Sequence, residues 1–158
     1  MDLVLWRHAE AEPGTPDVDR RLTPKGLKQA VRMAAWLAKR LPDDARVLAS
    51  PARRTQQTAI ALGRRFETRD ELALGATVTS VLAAAGWPDS AATVVVVGHQ
   101  PTLGEVAGYL LAGEPQPWSI RKGAVWWLAT RPRAGRALAT LRAAIGPDLV
   151  SGRGGQSR

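Results

Sequence analysis

The chain contains two histidines, and each follows an apolar run: Leu3-Val4-Leu5-Trp6-Arg7-His8 and Val94-Val95-Val96-Val97-Gly98-His99. A neutral imidazole is a competent nucleophile near pH 7, and on a phosphoryl centre it forms a phosphoramidate that water can later cleave. His8 is therefore a candidate phosphoryl acceptor. Phosphoryl transfer demands little further covalent work, but it needs fixed positive charge around three equatorial oxygens. Arg7 supplies part of that charge. Ser50-Pro51-Ala52-Arg53-Arg54-Thr55 offers more, because an arginine in a helix's first turn adds a two-pronged donor to the backbone N–H groups there. His99, preceded by a glycine that lets backbone approach a ligand closely, completes an anion cradle.

These residues need elements that bring them together. Residues 3–6 form a short continuous apolar run, as expected for a strand buried on both faces. Thr23-Pro24 opens a helix, with Thr as cap and Pro at the first position; Leu27, Ala30, Val31, Ala34, Ala38 and Leu41 form its apolar stripe and Pro42 closes it. A second strand over 46–49 leads into a helix starting at Ser50-Pro51 and running toward Arg65, and a third helix runs from Gly75 to Gly86. The β-branched run 93–97 is the clearest strand, and 101–111 reads as a helix closed by Gly113. Residues 124–130 and 136–142 flank a Pro132 to Gly135 turn as a hairpin, although Ala137, Leu138 and Leu141 would also suit a helix. Trp126 and Trp127 are adjacent in that hairpin, so one ring must face each side of it. Strands alternating with helices predict a three-layer α/β/α domain: a mainly parallel sheet, helices on both faces and a C-terminal hairpin. Ligands in such sheets bind beyond the carboxyl ends of the strands, where parallel pairing would bring out both imidazoles.

At 158 residues and 16.9 kDa the length fits one domain, read as 1–149, with 150–158 as a flexible Gly- and Ser-rich tail. The absence of cysteine excludes disulfides, Cys-ligated metal and thiolate nucleophiles. No segment approaches the roughly 20 apolar residues of a membrane span, and the expected setting is the cytoplasm. The net charge of +8 is concentrated at the C-terminal end, where residues 115–158 carry eight basic groups against Asp148 alone. That surplus raises a nucleic-acid or anion-binding module without catalysis as an alternative, yet no RNA-recognition or zinc-finger motif accompanies it. Asp17-Val18-Asp19 resembles the aspartate pair of metal-dependent phosphatases but follows Pro13-Gly14-Thr15-Pro16 rather than a strand, so it reads as a solvated loop. The arginines expected at the site would repel a cation, and no metal or other cofactor is expected.

Four segments, in order, carry a resemblance: Leu5-Trp6-Arg7-His8-Ala9-Glu10-Ala11, Arg20-Arg21-Leu22-Thr23-Pro24-Lys25-Gly26, Ser50-Pro51-Ala52-Arg53-Arg54-Thr55-Gln56-Gln57-Thr58 and Val97-Gly98-His99-Gln100-Pro101. Together they resemble the histidine phosphatase superfamily, and within it the short SixA-type phosphohistidine phosphatases, over roughly 1–149. The resemblance implies that His8 is the nucleophile and that Arg7, Arg54 and His99 hold the transferred phosphoryl group. It also implies Arg20 as an auxiliary anion contact, and its register selects Arg54 over Arg53. Ala9 stands where the family motif has Gly. The carboxylic acid that larger members use to protonate an ester leaving group has no clear counterpart; Asp70 and Glu71 lie in roughly the right stretch. Shortness and the missing acid favour a P–N substrate, phosphohistidine on a partner phosphoprotein, with a small phosphate ester as the alternative.

Overall fold

The computed structural model describes residues 1–133 and 136–150, with backbone alone for 131–133 and 136–138. The strands are β1 (Asp2–Arg7), β2 (Arg46–Ala49), β3 (Glu67–Thr68), β4 (Val94–Gly98), β5 (Val125–Arg133) and β6 (Arg136–Ile145). The helices are α1 (Pro24–Ala38), α2 (Arg53–Ile60), α3 (Val78–Ala85) and α4 (Thr102–Ala112). The sheet order is β3-β2-β4-β1-β5-β6. β3, β2, β4 and β1 run parallel, whereas β5 and β6 pair antiparallel at one edge as expected; β5 continues through Pro132 to Arg133 where the turn was expected to begin, and residues 134 and 135 of that turn lie outside those described.

Alternation along the central strands builds two cores. Leu3, Leu5, Val94 and Val96 pack on one face with α3 and α4, and Val4, Trp6, Val95 and Val97 on the other with α1. Both strands are buried throughout these positions, which accounts for their unbroken apolar sequence. The two adjacent tryptophans divide as expected: Trp126 meets Trp118 on one face, and Trp127 meets Trp36 edge-on on the other.

Helix α1 begins as predicted, with Thr23 Oγ1 accepting from the Gly26 N–H at 2.9 Å and Pro24 in the first turn. Its buried stripe differs from expectation. Ala30, Ala34 and Leu41 are buried, but Leu27 and Val31 are 46% and 61% exposed, and Met33 and Leu37 take their place. The rotation follows from Gly26, where a Cβ would lie 2.0 Å from the Glu10 carbonyl oxygen. The helix rests its bare glycine on the backbone just beyond His8, and this contact decides which side of α1 faces inward.

Helix α2 also departs from the reading, spanning Arg53–Ile60 rather than starting at Ser50-Pro51 and continuing toward Arg65. Ser50 and Pro51 remain in the strand-to-helix turn, and Gly63, with φ of +69°, turns the chain away before Arg65. Val150, expected in the tail, packs against the second core, whereas residues 151–158 lie outside those described.

Gly26→Ala should destabilise the fold by about 1–3 kcal/mol, because a methyl has nowhere to go against fixed backbone. Urea unfolding of the variant is the check, and an unchanged midpoint would contradict the close approach.

Candidate active site

The parallel register of β1 and β4 pairs Arg7 with Gly98, so His8 and His99 leave the sheet side by side, with ring centroids 5.5 Å apart. β2 flanks β4 and delivers Ser50 and the start of α2 to the same edge. Four of the five expected residues converge here: Arg7, His8, Arg54 and His99. His8, Arg54 and His99 are buried, with exposures of 7%, 2% and 4%.

The hydrogen bonds define the imidazole tautomers. His8 Nδ1 lies 2.7 Å from the Ala9 carbonyl oxygen, which can only accept, so Nδ1 carries the proton and Nε2 keeps its lone pair. That lone pair receives only a long contact, from Arg54 Nε at 3.3 Å. Arg54 Nη2 approaches His99 Nδ1 at 3.4 Å, and a guanidinium can only donate, so the His99 proton sits on Nε2 and is given to Ser50 Oγ at 2.7 Å. Ser50 is a positioning residue that sequence reasoning placed in the motif without assigning a role.

Both rings are held neutral. Burial pushes His8 from 6.5 down to about 3, with Arg54, His99 and Arg7 adding to the effect against the opposing Ala9 hydrogen bond. Burial first and Arg54 second lower His99 to about 4. Arg7 is likewise shifted downward, by burial and then by Arg54. Its Nη1 donates to the Ile120 carbonyl at 2.8 Å, but its Nε is buried without a partner. A buried orphan donor calls for an explanation, and an oxygen of a bound anion would satisfy it.

The loop between Glu12 and Arg21 corrects the reading of Asp17 as merely solvated. The loop is pinned at its base by the Ala11 to Leu22 bridge and the Glu12 N–H to Arg21 carbonyl bond of 2.8 Å. From it Asp17 reaches Arg54, accepting from Nη1 on its carbonyl oxygen and from Nη2 on Oδ2, both at 2.9 Å. Arg20 holds the other carboxylate oxygen at 3.0 Å, and the two arginines, Arg20 first, keep the Asp17 carboxyl below its usual range. Arg20 therefore stands one residue back from the site and touches it through Asp17. The signal that could have revealed Asp17 is its place in a short loop between two arginine-bearing motifs.

Glu71 is exposed and paired with Arg69 at 3.1 Å, and neither it nor Asp70 bonds to a site residue among the described residues. Gly98 lies against Leu103 of α4, where a Cβ would meet the leucine side chain at an ordinary contact distance of 3.4 Å. Ala9 is fully buried, with its N–H donating to Thr58 Oγ1 at 3.2 Å, so its methyl is accommodated.

The family model that matches residues 3–77 is the histidine phosphatase superfamily (branch 1). A Nakamurella multipartitia structure assigned to phosphohistidine phosphatase SixA is 33% identical with a TM-score of 0.77, covering 92% of this chain and 95% of that one. A structure of the protein histidine phosphatase SixA complexed with tungstate is 27% identical with a TM-score of 0.79, covering 94% and 98%. An uncharacterised Mycobacterium tuberculosis protein is 36% identical over 107 residues, which is 64% of this chain and 66% of that relative's length. The chain belongs to the histidine phosphatase superfamily and is SixA-type. No helix among the described residues is long and apolar enough to cross a membrane.

Stability should depend on the two rings. Between about pH 6.5 and pH 4 the unfolded chain takes up protons on both imidazoles while the fold keeps them neutral, so stability falls as pH falls through that window. By pH 5 each ring should account for about 2 kcal/mol of loss relative to pH 8. Urea midpoints at both pH values check this, and a His8→Asn/His99→Asn variant with the same pH slope as the parent would refute it.

Proposed function

We propose that the chain is a phosphatase that hydrolyses phosphohistidine on a partner phosphoprotein, without a metal or other cofactor, through a covalent phosphohistidine intermediate at His8. The observation that carries this reading is the neutral Nε2 lone pair of His8, met only by the long Arg54 contact and set among Arg7, Arg54 and His99. The substrate phosphoryl group docks with its oxygens on Arg54 and on the orphan Nε of Arg7. His8 Nε2 attacks phosphorus in line, and the new N–P bond forms as the bond to the substrate ring breaks; that ring, protonated by solvent on its other nitrogen, leaves as neutral imidazole. Water then attacks the phosphohistidine, phosphate leaves, and His8 returns to its resting tautomer. Arg54 stabilises the charge of both transition states. Tungstate, bound by a SixA relative, is an oxyanion of phosphate's shape, which agrees with this use of the cradle.

The preference for P–N over P–O follows from the acid inventory. Among the described residues Asp17 is the carboxylate that bonds to a site side chain, and Arg20 and Arg54 keep it ionised, so it is not available as a proton donor. An alkoxide needs a positioned acid to depart, whereas a departing imidazole does not. The basic C-terminal residues give the nucleic-acid alternative no continuous stripe among the described side chains: Arg142 lies over Trp127, while Arg121 and Lys122 line a separate groove.

Phosphate release in EDTA from a histidine-phosphorylated protein should exceed that from phosphoserine by about 10² or more in kcat/KM, the share a general acid would otherwise contribute. His8→Ala should abolish turnover. Comparable phosphoserine hydrolysis would overturn the substrate, and an active His8→Ala variant the mechanism. Arg54→Ala should lower kcat by on the order of 10² to 10³, measured in single-turnover kinetics; a change below about threefold would remove Arg54 from the transition state.

A further inference from the structure

Beside the cradle lies an open groove of about 650 Å³ that contains Arg7 but none of His8, Arg54 or His99. Its walls are the N-terminal half of α1, the loop before β5 and the turn at Pro147-Asp148. Lys25, Lys28 and Arg32 line one side at helical spacing, and Arg121 and Lys122 stand opposite. Two acidic groups are present, and each is engaged: Glu10 accepts from the Thr23 hydroxyl at 2.8 Å, and Asp148 pairs with Arg121 at 3.7 Å. Lys25, Lys28, Arg32 and Lys122 form no ion pair among the described residues.

We infer that this groove is a docking surface for an acidic protein segment flanking the phosphorylated residue of the substrate. The inference rests on the phosphoprotein reading above and extends it to the part of the partner that is not phosphorylated. The form of the charge selects the occupant. A compact second phosphate would need buried donors converging on one point, whereas these cations are exposed and run about 10 Å along α1 from Lys25 to Arg32. Flexible ammonium groups spread over such a length match a row of carboxylates on a helix or extended segment. Arg7 joins the two regions, so a partner seated here brings its phosphorylated side chain to the cradle. Charges of this kind act at the rim: they raise the encounter rate, fix register and are screened by salt.

Two double variants of equal charge change test the surface. Lys25→Glu/Lys28→Glu alters the groove, and the fold should tolerate it, since both side chains are exposed and an acidic group at position 25, in the first turn of α1, complements the helix dipole. Lys39→Glu/Arg65→Glu alters basic residues outside the groove. The readout is fluorescence anisotropy of a labelled oligoglutamate peptide at low ionic strength, carried out also in the His8→Ala background, where no turnover occurs. The expected result is a loss of peptide affinity of about tenfold in the groove pair and less than about twofold in the control pair. The ratio of kcat/KM for the phosphoprotein to that for p-nitrophenyl phosphate should drop by a similar factor in the groove pair. Equal weakening in both pairs, or no peptide binding by the parent protein, would overturn the docking surface. So would a single-stranded oligonucleotide that binds more tightly than the peptide and is released by the groove substitutions. Because the peptide measurement uses no catalysis, failure of the docking surface is distinguishable from failure of the phosphatase reading.

Discussion

The parallel pairing of β1 with β4, Arg7 opposite Gly98, is the constraint on which the rest of this structure depends. It places the two histidines at one sheet edge, and each neighbouring element then adds one component. β2, beside β4, brings Ser50 to orient His99 and starts α2 where Arg54 can reach both rings. On the other side β5 runs antiparallel to β1, so the loop that precedes it lies against the carboxyl end of β1: the Gly123 N–H donates to the His8 carbonyl and Ile120 receives Arg7. A shift of one residue in the β1/β4 register would turn one histidine to the opposite face of the sheet and separate the pair.

The cradle is electrostatically unfavourable to its own members. Burial first, and then the two guanidinium groups, keep the two imidazoles neutral. Neutrality is what the nucleophile proposed at His8 requires, so the burial and repulsion that disfavour a further positive charge also suit that role. An arriving dianion would reverse the local potential, allow His99 to donate from Nδ1 and give the unpartnered Nε of Arg7 an acceptor.

Much of this was legible in the sequence because the strands and their ends have strong local signatures. The four-valine run and the Leu-Val-Leu-Trp run each end at a histidine, and strands buried on both faces have few other ways to appear. Arg54 was legible through its motif, which the structure places in the first turn of α2. The orientation of α1 was not legible, because its small and apolar residues fit more than one stripe and the choice is made by Gly26 against Glu10, residues sixteen apart in sequence. Asp17 was missed for a related reason. Its role comes from a loop folding back to α2, and in one dimension an aspartate in a Pro- and Gly-rich loop resembles any solvated one. The missing acid illustrates the same limit: Asp70 and Glu71 occupy a suitable stretch, yet Glu71 turns to Arg69, two residues away.

The bond between Asp17 and Arg54 means that the resting pocket already holds a carboxylate of its own. Any anion that engages this guanidinium through the same contacts enters by exchange, displacing a group tethered to the same chain. An organic acid offers Arg54 nothing that Asp17 does not, and it surrenders translational freedom that the tethered group has already lost. A tetrahedral oxyanion brings more charge and a further oxygen for the buried Arg7 donor. Anion binding at Arg54 is thereby a competition in which a carboxylate tethered by its own loop is already seated.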